Sequence, residues 1–157
     1  MNLKQPEDYY IKILLNKVHL KDIMTKNIVS INVDAPFSEV EQRMREGRVR
    51  YVPVVDEDNK LVGLMSKGDL YRIHPPHRDE EGNWVYDQES LDSVILKHVM
   101  TKDPFALSPD NTMADALPPM VERKYGCIPI VDKDRHLCGI ITQMDILKIA
   151  LQILREH

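Results

Sequence analysis

The chain has 157 residues, 43% of them apolar and 29% charged, with a formal net charge of −4. This is a folded, globular composition rather than a disordered one, and a chain of this length buries about two-thirds of its unfolded surface without needing a disulfide or a metal. The acidic balance weighs against general nucleic-acid binding. No run approaches the roughly 18 apolar residues of a membrane span, and the start, MNLKQPEDYY, lacks the layout of a secretory signal. A soluble cytoplasmic protein is expected.

Pro6 to Val18 reads as an amphipathic helix. Pro6 suits its first turn, Glu7 and Asp8 its positive end, and Tyr10, Ile13, Leu14 and Val18 share one apolar face. From residue 19 the chain repeats itself: residues 19–73 and 95–149 align without a gap at an offset of 76, with 16 of 55 positions identical. Met24-Thr25-Lys26 matches Met100-Thr101-Lys102. Val52-Pro53-Val54-Val55-Asp56 matches Ile128-Pro129-Ile130-Val131-Asp132. Leu61-Val62-Gly63-Leu64-Met65-Ser66 matches Leu137-Cys138-Gly139-Ile140-Ile141-Thr142, and Asp69 matches Asp145. Three ordered blocks at one spacing mark a duplication.

Within each copy the local pattern predicts strand, helix, strand, strand, helix. Ile28 to Ile31 is a short strand-like run, as is Phe105 to Leu107 in the second copy. Ser38 to Glu46 reads as a helix, with Ser38 as its N-cap and Glu41 completing a capping box. Tyr51–Val55 and Leu61–Met65 read as antiparallel strands around the polar turn Asp56 to Lys60, and Asp132 to His136 repeats that turn. Helices follow from about Gly68 to Ile73 and from about Met144 to Arg155. Pro118-Pro119 interrupt the second copy's first helix and predict a break near Leu117, because proline lacks the N–H and clashes with the preceding turn.

The expected organisation is a helix over 1–18, one repeat over 19–73, a linker over 74–94 and a second repeat over 95–157 with an extended C-terminal helix. The linker is acidic and turn-rich before a helical stretch from Gln88, and at this length it suggests a role or ordering against the domain. The fold class is α+β: two βαββα repeats too small to stand alone, packed with pseudo-twofold symmetry.

The repeated blocks resemble the cystathionine-β-synthase (CBS) domain family, over about two-thirds of the chain. Its marks are the V/I-M-T opening, the h-P-V/I-V-D strand and the L-h-G-h-h-S/T-x-x-D closing segment. The resemblance implies a tandem module, commonly a homodimer, that binds AMP, ADP, ATP or S-adenosylmethionine in clefts between the repeats and regulates a partner protein.

The residues support this chemistry directly. Ser66 and Thr142 end a strand, and Asp69 and Asp145 fall in the first turn of the next helix. A helix start offers N–H groups to a phosphate, and a carboxylate can accept from both hydroxyls of a ribose. The same residues are also ordinary helix caps. The resemblance places adenine near Ile28 and Val52-Pro53 in one site, and near Pro104 and Ile128-Pro129 in the other, with Thr25 and Thr101 from the opening blocks. Pro53 and Pro129 suit a strand edge. Arg50 and Lys67 would serve phosphate, while Gly126 replaces Arg50 in the second copy, so the two sites should differ.

No nucleophile is assembled with a base, and no P-loop or dinucleotide fingerprint occurs, so no enzymatic activity is expected. His74-Pro75-Pro76-His77 offers only two ligands and reads as linker. Cys127 and Cys138 read as buried free thiols. The alternative function is a ligand-independent dimerisation or protein-interaction module, built on the apolar C-terminal helix.

Overall fold

A computed structural model describes residues 6–156, with side chains from residue 8. In chain order the elements are α1 (Pro6–Lys17), α2 (Leu20–Ile23), β1 (Ile31–Asn32), α3 (Ser38–Gly47), β2 (Tyr51–Val55), β3 (Leu61–Ser66), α4 (Lys67–Ile73), β4 (His77–Arg78), β5 (Trp84–Val85), α5 (Gln88–Asp92), α6 (Leu96–Val99), β6 (Thr101–Lys102), α7 (Met113–Glu122), β7 (Cys127–Val131), β8 (Leu137–Thr142) and α8 (Gln143–Arg155). They fall into two compact units. Val29–Pro104 forms one, and the segments up to Ile28 and from Phe105 form the other.

In the Val29–Pro104 unit the sheet order is β1-β2-β3-β6. The hairpin β2–β3 runs antiparallel from Tyr51↔Ser66 to Val54↔Gly63, where a bulge leaves Val62 unopposed. Its turn is fixed by Asp56, whose Oδ1 accepts the N–H groups of Asp58 and Lys60, each at 2.9 Å. Phe37, Val40, Met44 and Leu70 form one buried core with Ile31, Val52, Val54 and Met65 of the sheet. The linker belongs to this core. Leu91 of α5 and Leu96 of α6 are buried in it, and α3 is capped from α5 by Asp92, whose Oδ1 accepts the Ser38 N–H at 3.2 Å.

The other unit is built on the same plan. β7 and β8 pair from Cys127↔Thr142 to Ile130↔Gly139, Leu107 bridges Ile130 in parallel, and Thr25 bridges Ile140. Its core is Leu20, Ala116, Met120, Ile128, Ile130 and Ile141, and α1 packs on α7.

The opening segments are exchanged. Thr101 of the second repeat pairs with Leu64 of the first, while Thr25 of the first repeat pairs with Ile140 of the second. The methionine before each threonine lies over a glycine of the strand it joins: Met100 over Gly63, and Met24 over Gly139. The pattern of Met-Thr and Gly shared by the two copies is therefore one contact made twice. A side chain on either glycine would occupy the methionine's place.

Several sequence expectations are corrected. Ser38 is not an N-cap: it is the first helical residue, Phe37 precedes it without a side-chain cap, and Glu41 is buried and paired with Arg45 instead of closing a box. The strand expected over Ile28–Ile31 is confined to Ile31–Asn32, and Phe105–Leu107 contributes only the bridge at Leu107. The helix does not break at Leu117. Met113, Ala116 and Met120 anchor one face of α7 in the core, while Pro118 is exposed and Pro119 half-exposed, so the prolines sit away from the face that holds the helix in place.

On α1, Tyr10 and Leu14 are exposed, and Ile13, Leu15 and Val18 are half-buried, so the packed face is turned from the expected one. The side-chain roles expected for Pro6 and Glu7 lie outside the described residues. The linker also holds a short hairpin, β4–β5, which nothing in the repeat announces.

Candidate functional site

The two S/T-x-x-D turns have one design. Ser66 leaves β3 with extended backbone and caps α4: its Oγ accepts the Asp69 N–H at 3.0 Å, and Asp69 Oδ2 accepts the Ser66 N–H at 3.0 Å. At the start of α8, Asp145 Oδ2 accepts the Thr142 N–H at 2.8 Å and the Thr142 hydroxyl at 2.9 Å, while Thr142 Oγ1 accepts the Asp145 N–H at 3.3 Å. Both carboxylates are thus fixed at the ends of paired strands, where rigid backbone on one side and a helix on the other leave them little freedom.

This capping changes what the turns offer a ligand. The helix-start N–H groups expected to meet phosphate are largely taken: Lys67 N–H donates to the Arg50 carbonyl at 2.8 Å, and Gln143 N–H donates to the Gly126 carbonyl at 3.1 Å. The carboxylates keep capacity. Asp145 is half-buried, and its Oδ1 accepts no bond among the described residues. Asp69 is more committed, because its Oδ1 pairs with Arg72. The hydroxyls differ as well: Thr142 donates its proton to Asp145, whereas Ser66 only accepts in its cap.

The remaining expected residues divide between the units. Arg50, Val52, Pro53, Ser66, Lys67, Asp69, Thr101 and Pro104 lie in the Val29–Pro104 unit; Thr25, Ile28, Ile128, Pro129, Thr142 and Asp145 lie in the other. Val52 and Ile128 are fully buried, so they can give a ligand main-chain groups only. Pro53 is not on an edge strand. β2 lies between β1 and β3, but β1 reaches only Val54 and Val55, so the missing proline N–H leaves no ladder bond unmade.

Arg50 and Lys67 do meet, at a cleft of about 470 Å³ within the Val29–Pro104 unit. Arg45 and Arg48 of the α3 end complete its cationic wall, and Met44, Val49, Leu70 and the Tyr86 ring give it an apolar floor. Glu41 lines it too, 8% exposed, with its Oε1 accepting from Arg45 Nε at 3.0 Å. Burial, the Glu41 carboxylate and Tyr71 raise the Tyr86 phenol above its ordinary pKa. Sequence reading missed Tyr86, which has no counterpart in the repeat. The Glu41–Arg45 pair was visible only as an i,i+4 spacing.

Both cysteines are free. Burial, helped by the Asp145 charge, pushes the Cys127 thiol up to about 12, so it is an unreactive neutral group at physiological pH. Cys138 is the bulge residue of β8. Asp132, Asp134 and His136 cluster because they form the β7–β8 turn: Asp132 Oδ1 accepts the N–H of Asp134 at 2.9 Å and of His136 at 2.8 Å.

The family model for the CBS domain matches residues 20–74 and 96–152, and the chain belongs to the CBS domain family. Among curated relatives it is 27% identical over 142 residues to a homoserine O-acetyltransferase of Methanohalobium evestigatum, spanning 90% of this chain but only 26% of that protein. It is 30% identical over 154 residues to the CBS domain-containing protein CBSX1, chloroplastic, of Arabidopsis thaliana, spanning 86% of this chain and 65% of that one. The crystal structure of CBSX2 of Arabidopsis thaliana in complex with AMP matches with a TM-score of 0.70 at 26% identity, covering 87% of this chain and 98% of that one. No helix among the described residues is long and apolar enough to cross a membrane.

Proposed function

We propose that the chain is a regulatory ligand-sensing module that binds an adenosine-containing compound, AMP, ADP, ATP or S-adenosylmethionine, and passes its occupancy to a partner protein rather than catalysing a reaction. The observation that carries this reading is the pair of carboxylates, Asp69 and Asp145, each locked by a capping box at the same strand end of its repeat. A carboxylate held in this way is already positioned to accept ribose hydroxyls, which limits the entropy lost on binding, although Asp69 would share its Oδ1 with Arg72. The AMP complex of CBSX2 supports the ligand class.

Of the two turns, that of Asp145 holds the carboxylate better suited to ribose, because its Oδ1 is not engaged. At the other, the Ser66 hydroxyl keeps a proton to donate. A bound ligand would then stabilise whichever arrangement of the module it prefers, by no more than its difference in affinity for the two.

Calorimetric titration with AMP, ATP and S-adenosylmethionine tests the reading. Asp145→Asn and Asp69→Asn keep a capping oxygen but remove the charge, and each is expected to weaken adenosine binding at its own turn by about tenfold or more. The alanine versions should also cost about 1 kcal/mol of stability through the lost cap. Absence of heat and of any thermal shift at millimolar ligand would remove the proposal.

We further propose that α8 mediates a homodimer. Met144, Leu147, Leu151 and Leu154 recur at i, i+3, i+7 and i+10 and are 57%, 62%, 44% and 76% exposed, the seam spacing of paired helices. The opposite side of α8 already packs, through Ile146, on the core. Sedimentation should show a dimer at micromolar concentration, converted to monomer by Leu147→Glu with Leu151→Glu. A monomeric natural chain defeats this reading.

A further inference from the structure

We infer that the β4–β5 hairpin of the linker is a docking element for a protein that presents a basic surface around an apolar slot. The inference rests on the reading above for the existence of a partner, and names where that partner sits.

The linker divides in two. From Tyr86 onward it serves the fold: Tyr86 and Val94 pack against the core, Leu91 is buried in it, and Asp92 caps α3. The hairpin before it adds no buried side chain. His77, Arg78 and Glu80 to Trp84 are exposed, and Asp79 and Val85 are half-buried. The repeat offset, carried on, sets His77 against Ile153 inside α8, so the duplicated plan gives no reason for a hairpin here.

A lone two-stranded ribbon is marginal in water, yet this one is held in shape. Asp79 Oδ1 accepts the N–H groups of Glu81 at 3.0 Å and Asn83 at 2.8 Å, and Gly82 turns the chain at φ 86°. Across the paired positions Arg78 and Trp84, the guanidinium lies 4.9 Å from the indole centroid. Trp84, the chain's single tryptophan, is nonetheless 63% exposed. A large ring fixed in advance and left in water loses little freedom when a partner covers it, which is the character of an interface anchor.

Charge says what covers it. Residues 74–94 carry six of the 25 acidic side chains and one of the 21 basic ones, a net of −5, so the rest of the chain nets +1. Glu80 and Glu81, in the turn that leads to Trp84, form no ion pair among the described residues. The acidic excess of the whole chain is thus gathered in the segment that bears the exposed ring. It attracts a cationic protein surface and repels phosphate backbones and anionic lipid headgroups.

Trp84 emission in the full chain reports on this spot alone. Titration with a short peptide of alternating leucine and lysine should shift it to the blue and saturate, with affinity falling as salt rises. The leucine–glutamate counterpart should not bind. Glu80→Lys with Glu81→Lys should weaken the lysine peptide by at least about tenfold in emission, and Trp84→Ala by as much in calorimetry. These positions are exposed, so the variants should keep the natural unfolding midpoint and bind AMP as the natural chain does. Three results overturn the inference: no saturable shift, equal binding of the two peptides, or a larger shift with anionic phospholipid vesicles or a single-stranded oligonucleotide. None of them bears on the adenosine titration. A chain that binds the lysine peptide but no adenosine compound keeps the docking hairpin and loses the sensor reading.

Discussion

Replacing Gly139 by valine is expected to cost the protein about 3 kcal/mol, at the upper end of what overpacking a core does. A Cβ at this position would lie 2.8 Å from Met24 Cγ and 3.1 Å from the Thr25 carbonyl oxygen. The thioether can swing aside, but the carbonyl cannot. Thr25 is held on β8 by two bonds, its N–H to the Ile140 carbonyl at 2.9 Å and the Ile140 N–H to its own carbonyl at 3.1 Å. Gly63 makes a useful contrast, because the three atoms nearest to a Cβ there all belong to the Met100 side chain and none to the backbone. Gly63→Ala should therefore cost less, about 1–2 kcal/mol, and Met100→Ala in the same chain should recover part of it. Urea unfolding measures both. If Gly139→Val matches the natural chain in midpoint and slope, the opening segment does not lie on that strand.

The second large effect concerns where the chain can be cut. A fragment of residues 29–104 should unfold cooperatively, while a fragment of residues 19–73, one sequence repeat, should not fold. The repeat fragment lacks Leu91 and Leu96, both in the core, and the Asp92 carboxylate that caps α3. It also lacks β6. Truncating one buried leucine commonly costs about 2–5 kcal/mol, and a whole domain is stable by only about 5–15 kcal/mol, so losing both removes the margin. The repeat fragment also carries Leu20, whose burial partners are Ala116, Met120 and their neighbours in the other unit. Circular dichroism and dispersed amide resonances distinguish the outcomes. A well-folded 19–73 fragment would show that the repeat, not the interleaved unit, is the folding element.

The contrast shows which information is local. Tyr51–Val55 and Leu61–Met65 were legible because β-branched runs flanking an Asp-rich turn suffice to specify a hairpin, and the structure adds only Ser66 to their bounds. The exchange of opening segments was not legible. Met-Thr-Lys is identical in both copies, so the letters cannot say which sheet each joins. Pro118-Pro119 misled for a related reason: the rule concerns a helix on its own, and α7 is held by three buried side chains on its far face. Ser38 misled because its partner, Asp92, comes from 54 positions away.

At the candidate site, Ser66, Asp69, Thr142 and Asp145 were legible from spacing. The loss of the Lys67 and Gln143 N–H groups to carbonyls at the start of the neighbouring strand was not, because it depends on how the hairpin closes. The cleft was half legible. Its arginines stand out in the sequence, but Tyr86 arrives from a linker with no internal precedent.

The crossed threonine pairings bear on what a half-length gene product could do. With only one copy, β3 would keep a bare flank where Thr101 and Lys102 now sit, and an unpaired flank of sheet invites another polypeptide. A second molecule could fill that gap only at the dilute concentration of free protein, whereas a tether of some twenty residues holds its donor at an effective millimolar level. Tandem fusion thus converts a reciprocal loan between molecules into a permanent property of one.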